Sequence, residues 1–235
     1  MVWRSLNSRS WELIIVGLCI FIVTACFGGS KTVLIEKTAT MTSSPQPTDT
    51  LMPTPTPVPT ATVEIPENNM PIFDQFVESI KTGEKDKLVG LWVEGKMALL
   101  VVYQPPSQPG FVSTMDEVAT YFLLPYKMAK NYGLLAHNYL AGRYFFDVNI
   151  GDIVQLIYGD GDYEDFEVVE IQGYEAKEPN NPRSDFIDLA TGAQLTANNL
   201  FVKVYMGKFH TTLQTCIAKG GNGEWGRQFI LAPPL

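Results

Sequence analysis

The stretch Thr212-Leu213-Gln214-Thr215-Cys216, followed after ten residues by Arg227-Gln228-Phe229-Ile230-Leu231, decides how the C-terminal part of this chain is read. Two short apolar runs predict two strands, Phe209–Cys216 and Arg227–Leu231, with Asn222-Gly223 supplying turn chemistry between them. If they pair antiparallel, Cys216 and Arg227 come side by side. A guanidinium in that position lowers the pKa of a thiol and donates hydrogen bonds to an oxyanion, which are two requirements of acyl transfer through sulfur.

Upstream, the same strand-and-turn pattern continues. Strands are predicted over Leu134–His137, Tyr144–Val148, Ile153–Tyr158 and Tyr163–Ile171, with a turn at Asp160-Gly161. Residues 87–93 and 96–103 predict a hairpin around Glu94-Gly95, and Pro105, Pro106 and Pro109 then enforce a loop. Helical spacing of Ile72, Phe73, Phe76, Val77 and Ile80 predicts a first short helix. Thr114-Met115-Asp116-Glu117 fits a capping box, so a second helix is expected from there toward Tyr132, strained at Pro125. A third, capped by Thr196, is expected before Met206. Many short strands with few helices indicate a mainly β fold, a closed barrel or a sandwich.

The chain has 235 residues and a net charge of −8, which argues against nucleic acid as a partner. Composition divides it at about residue 70. Residues 37–69 are rich in Thr, Ser and Pro, with Pro53, Pro55, Pro57 and Pro59 at every second position, a spacer that favours extended polyproline II. Before it, Arg4 and Arg9 precede an apolar run of about 13 residues ending at Ala25, which reads as an export signal, short for a membrane span. Val23-Thr24-Ala25-Cys26 resembles a bacterial lipobox, with Cys26 the lipidated residue. An uncleaved signal anchor over residues 11–27 is the other reading, and both place the rest of the chain outside the cytoplasm. The expected organisation is 1–26 signal, 27–69 stalk and 70–235 folded domain, held on the outer face of the bacterial cell membrane.

Cys216 is the one cysteine of the folded region, so no pairing is available within it. Its plain alternative is an inert core thiol. The strand-end Leu135-Ala136-His137-Asn138 provides an imidazole able to shuttle a proton, or else a histidine that caps a loop. Arg227 could equally be a solvated surface residue, and the mid-strand His210 reads as structural. No zinc signature is present, because with two histidines and one cysteine in the folded region a set of four ligands would need carboxylates, and nothing in the spacing arranges them.

Taken together, Thr212-Leu213-Gln214-Thr215-Cys216, the following Arg227 strand, the His137 strand end and the Ile150-Gly151-Asp152 turn resemble the sortase family, in the manner of its classes D, E or F, across roughly 70–235. The resemblance implies a closed sortase-like β-barrel with a few short helices. It also implies a cysteine transpeptidase with Cys216 as nucleophile, His137 as acid and base, and Arg227 as oxyanion donor. Asn138 and Thr215 are candidate substrate-binding residues. The implied partners are secreted proteins bearing a C-terminal sorting signal and an amine acceptor on the cell wall or another protein. No cofactor is expected. Some sortases bind calcium in acidic loops, and Asp160, Asp162, Glu164 and Asp165 form such a cluster, but their spacing reads better as a hairpin turn than as a calcium loop. The chain departs from the family pattern at residues 197–208, which intervene before the cysteine strand, and in its lipoprotein-type anchor. Two rivals remain open: a cysteine peptidase that hydrolyses its thioester, and a non-catalytic surface lipoprotein that uses the barrel for binding.

Overall fold

The computed structural model describes residues 72–179, 181 and 183–235. The expected export signal, Cys26 and the Thr/Pro-rich stalk lie outside the described residues. No helix among the described residues is long and apolar enough to cross a membrane.

Eleven strands form one sheet: β1 (Leu88–Val93), β2 (Met97–Tyr103), β3 (Val118–Tyr121), β4 (Tyr132–Leu135), β5 (Ile153–Tyr158), β6 (Tyr163–Glu167), β7 (Glu170–Ala176), β8 (Phe186–Asp188), β9 (Gln194–Leu195), β10 (Thr211–Lys219) and β11 (Asn222–Ala232). Their spatial order is β6-β5-β1-β2-β3-β4-β10-β11-β7-β8-β9. The fold is mainly β with short helices, as expected. An isolated bridge between Phe166 and Pro234 brings β6 back onto the chain beyond β11, with backbone bonds from Glu167 to Pro233 and from Leu235 to Asp165, each 3.0 Å. Eight strands thus make a ring, and β7, β8 and β9 extend from β11 outside it.

The ring is filled by Leu91, Leu99, Leu134, Leu156, Phe145, Phe166, Leu213 and Ile230. Alternation along the strands sends the neighbouring residues to the outer face. There Leu135, Cys216, Tyr174 and Phe229 pack against Leu200, Phe201, Val204 and Tyr205 of α3 (Ala197–Tyr205). β10 is buried on both faces for this reason, so its sequence reads as a nearly unbroken buried run. Thr196 caps α3 as expected, its hydroxyl accepting from the Asn199 amide at 3.2 Å. The first helix, α1 (Ile72–Ile80), packs Val77 and Ile80 on Val89, Trp92 and Ile157. Gly90 permits this approach, since a Cβ there would meet Ile80 Cδ1 at 2.3 Å.

Four expectations are corrected. Thr114–Glu117 opens no helix: Asp116 accepts from the Glu117 amide and pairs with Arg143, Glu117 takes φ +56°, and the chain enters β3, parallel to β2. Burial of Val-Ala-Thr-Tyr on both faces outweighs the capping signature. The helix comes later, as α2 (Leu123–Ala129), where Pro125 stands in the first turn and so breaks no intrahelical bond. Tyr144–Val148 is no strand but part of a 3-10 helix over Ala141–Asp147, which buries Phe145 in the ring. The run Tyr163–Ile171 is two strands, β6 and β7, that pair with different neighbours. The β10–β11 turn is Gly220-Gly221, φ +61° and +81°, closed by pairing of Lys219 with Asn222, rather than Asn222-Gly223.

Candidate active site

The interiors of β10 and β11 and the end of β4 meet on the outer face of the ring. β10 lies between β4, its parallel neighbour, and β11, its antiparallel one. The β10–β11 register sets Cys216 directly opposite Arg227. On the other side Gln214 is level with Leu135, and the pairing continues through the Ala136 amide to the Gln214 carbonyl at 3.1 Å. His137 and Cys216 each stand two residues beyond that matched pair. The alternation that puts Leu134, Leu213 and Ile230 inside puts His137, Cys216 and Arg227 on the outer side.

The turn after β4 is fixed by its own backbone. The His137 carbonyl accepts from the amides of Leu140 and Gly142, both at 2.9 Å. Gly142 has no room for a side chain: a Cβ would lie 2.3 Å from the Thr215 hydroxyl oxygen and 2.6 Å from the Ala136 carbonyl oxygen. The structure places Thr215 opposite in sense to Cys216, its hydroxyl donating to the Ala136 carbonyl at 2.9 Å, so it ties β10 to the end of β4. Asn138 donates from its amide nitrogen to the Gly223 carbonyl at 3.0 Å, tying the histidine turn to the β10–β11 hairpin. Both residues proposed from sequence to meet substrate therefore make contacts that hold the site's frame. His210 is held by two backbone carbonyls, Lys208 at 2.7 Å and Val204 at 3.0 Å, a structural place.

All three candidate catalytic residues are deeply covered, with exposures of 2% for His137 and 1% each for Cys216 and Arg227. Burial pushes the His137 imidazole below its ordinary pKa, and a backbone hydrogen bond to Val112 partly offsets this. Its Nδ1 has no partner, and the Tyr139 ring stacks on it at 5.2 Å between centroids. Burial also pulls the Arg227 guanidinium down to about 10, against the opposing pull of Glu224. Arg227 Nη1 donates to the carbonyls of Glu224 and Gly226, each at 2.8 Å. Its Nε and Nη2 have no hydrogen-bond partner. The guanidinium is therefore anchored through one nitrogen and keeps two buried donors for another ligand, at a cost of about 1–3 kcal/mol for each unmet group. Cys216 is disulfide-bonded in this structure, and the chemistry considered below belongs to its reduced thiol.

The chain's resemblances can be set beside this geometry. No family model and no curated relative matches it. Solved structures that it matches include sortases. Sortase A of Listeria monocytogenes aligns at 17% identity and TM-score 0.41, covering 64% of this chain and 88% of that one. A sortase D5 transpeptidase of Clostridium perfringens gives 15% and 0.41, covering 69% and 86%. Sortase C of Streptococcus pneumoniae gives 14% and 0.41, covering 67% and 72%.

Sequence reasoning missed one residue of the site. Glu224 lies on the hairpin three residues before Arg227, with side-chain exposure of 12%. The one signal for it was an acid at that spacing from the arginine on a tight hairpin.

Proposed function

We propose that this chain is a sortase-like cysteine transpeptidase. The observation that carries the reading is the register that pairs Cys216 with Arg227 while the parallel neighbour β4 brings His137 to the same level. The unmet Nε and Nη2 donors of Arg227 support it, because such donors suit an oxygen whose charge develops during acyl transfer. In this reading the reduced Cys216 thiolate attacks a peptide carbonyl, and Arg227 takes the oxyanion. His137 gives a proton to the departing amine, leaving a thioacyl-enzyme. An incoming amine attacks the thioester, the carbon–sulfur bond breaks, and His137 recovers a proton. The substrates are secreted proteins with a C-terminal sorting signal, and the acceptor is an amine of the cell wall or another protein. Lipidation at Cys26 and the Thr/Pro-rich spacer would present the domain on the outer face of the membrane.

The test uses reduced protein, a sorting-signal peptide and an amine acceptor. An amide product that disappears in Cys216→Ala supports transpeptidation, whereas free acid alone supports a hydrolytic peptidase. One observation favours a second reading. Part of the site is covered by α3: Leu200, Phe201, Val204 and Tyr205 line a small cavity with Arg227 and Phe229, and Cys216 packs in the same apolar cluster. If this cover stays closed the barrel is a non-catalytic surface module. Resistance of reduced Cys216 to alkylation in the folded state, together with no turnover, would establish that alternative.

A further inference from the structure

Glu224 is an anomaly by ordinary rules for buried charge. Its Oε2 atom is buried without any hydrogen-bond partner, 4.0 Å from Arg227 Nη2, too far for a hydrogen bond. Its backbone is well occupied: the carbonyl accepts from Arg227 Nη1, and the amide donates to the Asn222 side-chain oxygen at 2.9 Å. Fixing the arginine therefore does not require the carboxylate. A carboxylate oxygen kept out of water without a donor is costly, and one this close to the arginine fork would form a paired bridge if that were its whole purpose. Burial raises the pKa of Glu224, and the Arg227 charge only partly offsets it, so the group is a stronger base than an exposed glutamate.

The second half of the proposed reaction presents a matching problem. An acceptor amine arrives at neutral pH as an ammonium, and the guanidinium that holds the thioester oxygen repels it. A nearby anion lets the cation enter a desolvated site. We propose that Glu224 is a specificity-determining residue that receives the ammonium of the acceptor and takes its first proton. The proposal rests on the transpeptidase reading above. The ammonium passes one proton to the Glu224 carboxylate, and the freed lone pair forms the bond to the thioester carbon. The carbon–sulfur bond then breaks with its electron pair returning to Cys216. The second proton goes to the neutral His137 ring, which restores thiolate and imidazolium, and Glu224 releases its proton to water. The acceptor class is thus a primary ammonium, in preference to a neutral nucleophile.

The experiment follows partitioning of the thioacyl-enzyme in the reduced full chain, held in detergent, between triglycine, a cationic acceptor, and hydroxylamine, which is neutral at pH 7.5. In Glu224→Gln the triglycine concentration needed for half-maximal transfer should rise about tenfold, the loss of one charge-assisted hydrogen bond. Acylation rate and hydroxylamine capture should stay within about twofold, the scatter expected of a change confined to one charge contact. Equal changes for both nucleophiles, or none for triglycine, would overturn the assignment. Absence of any thioacyl species in the unsubstituted enzyme would instead overturn the transpeptidase reading beneath it. A measurement independent of the variant's folding uses the unsubstituted enzyme. N,N,N-trimethyl-triglycine, cationic and unable to attack, should compete with triglycine, while neutral N-acetyl-triglycine should not. Equal inhibition by the two, or inhibition by neither, would contradict the proposal.

Discussion

At the scale of single residues, the site combines groups that stability alone would not select. Arg227 is 1% exposed and has two unmet donors, so its burial carries a desolvation cost. Removing one partner of a buried pair nevertheless costs ~3–5 kcal/mol, because the other charge is left buried without compensation. Arg227→Met strands the Glu224 carboxylate and the two carbonyls that Nη1 occupies, so it should lower the urea midpoint while removing thioacyl formation; a raised midpoint would show that desolvation of the guanidinium outweighs its contacts. His137 makes an opposite pH signature. Its folded pKa lies below the ordinary histidine value, so between the two the unfolded chain binds more protons. Stability from this residue is present above the ordinary value near 6.5 and declines as pH falls toward the lowered one. The unfolding midpoint should thus drop from pH 7 to pH 5 by less in His137→Gln than in the parent protein, and equal drops would assign the dependence to other groups.

At the scale of elements, the decisive feature is that the β10–β11 ladder, the end of β4 and one glycine-dependent turn fix the positions of the three side chains. Gly142→Ala would force its Cβ against Thr215 and the Ala136 carbonyl, displacing the turn that presents His137. It should destabilise the domain by ~1–3 kcal/mol, the usual cost of overpacking, and slow acylation more than substrate binding. The α3 cover makes a separate prediction. Phe201→Ala removes a buried ring from the layer over Cys216, costing ~3–5 kcal/mol, and should speed alkylation of the reduced thiol. An unchanged alkylation rate would show that access does not run beneath α3.

Strands β1, β2, β5 and β10 and helices α1 and α3 were legible in sequence because hydrophobic periodicity, a cap or a turn signal marked each of them locally, and antiparallel pairing of two apolar runs sufficed to set Cys216 beside Arg227 although their turn lies at Gly220-Gly221. What escaped depended on contacts distant in sequence. The aromatic run Tyr144-Phe145-Phe146 looks like strand, yet Gly142 must lie against Thr215, 73 residues onward, and Phe145 must fill the ring, which a 3-10 turn accomplishes. β8 and β9 are three and two residues long, too short to show a period. The register of β4 with β10 and the orphaned Glu224 oxygen are properties of assembled strands and have no local signature.

At the scale of the whole molecule, ring closure and the candidate site are connected through β11. One side of that strand is aligned with Cys216 through β10, and the other pairs with β7 along Glu170–Glu175. Beyond its end the chain closes the ring against β6 through Phe166 and Pro234. Truncation after Ala232 removes the bridge and the bonds at Pro233 and Leu235 without touching the site's residues. Thermal unfolding should then begin at lower temperature, with thioacyl formation retained below the transition.

The central claim is that Cys216, His137 and Arg227 form one acyl-transfer site. It is tested most directly by intact-protein mass measurement of the reduced full chain after exposure to a library of sorting-signal peptides. The account predicts a mass increase equal to one acyl fragment, located on Cys216, lost in Cys216→Ala and in Arg227→Met, and discharged by triglycine. A fully reduced, folded protein whose mass stays unchanged across the library, or an adduct that persists in Cys216→Ala, would contradict it.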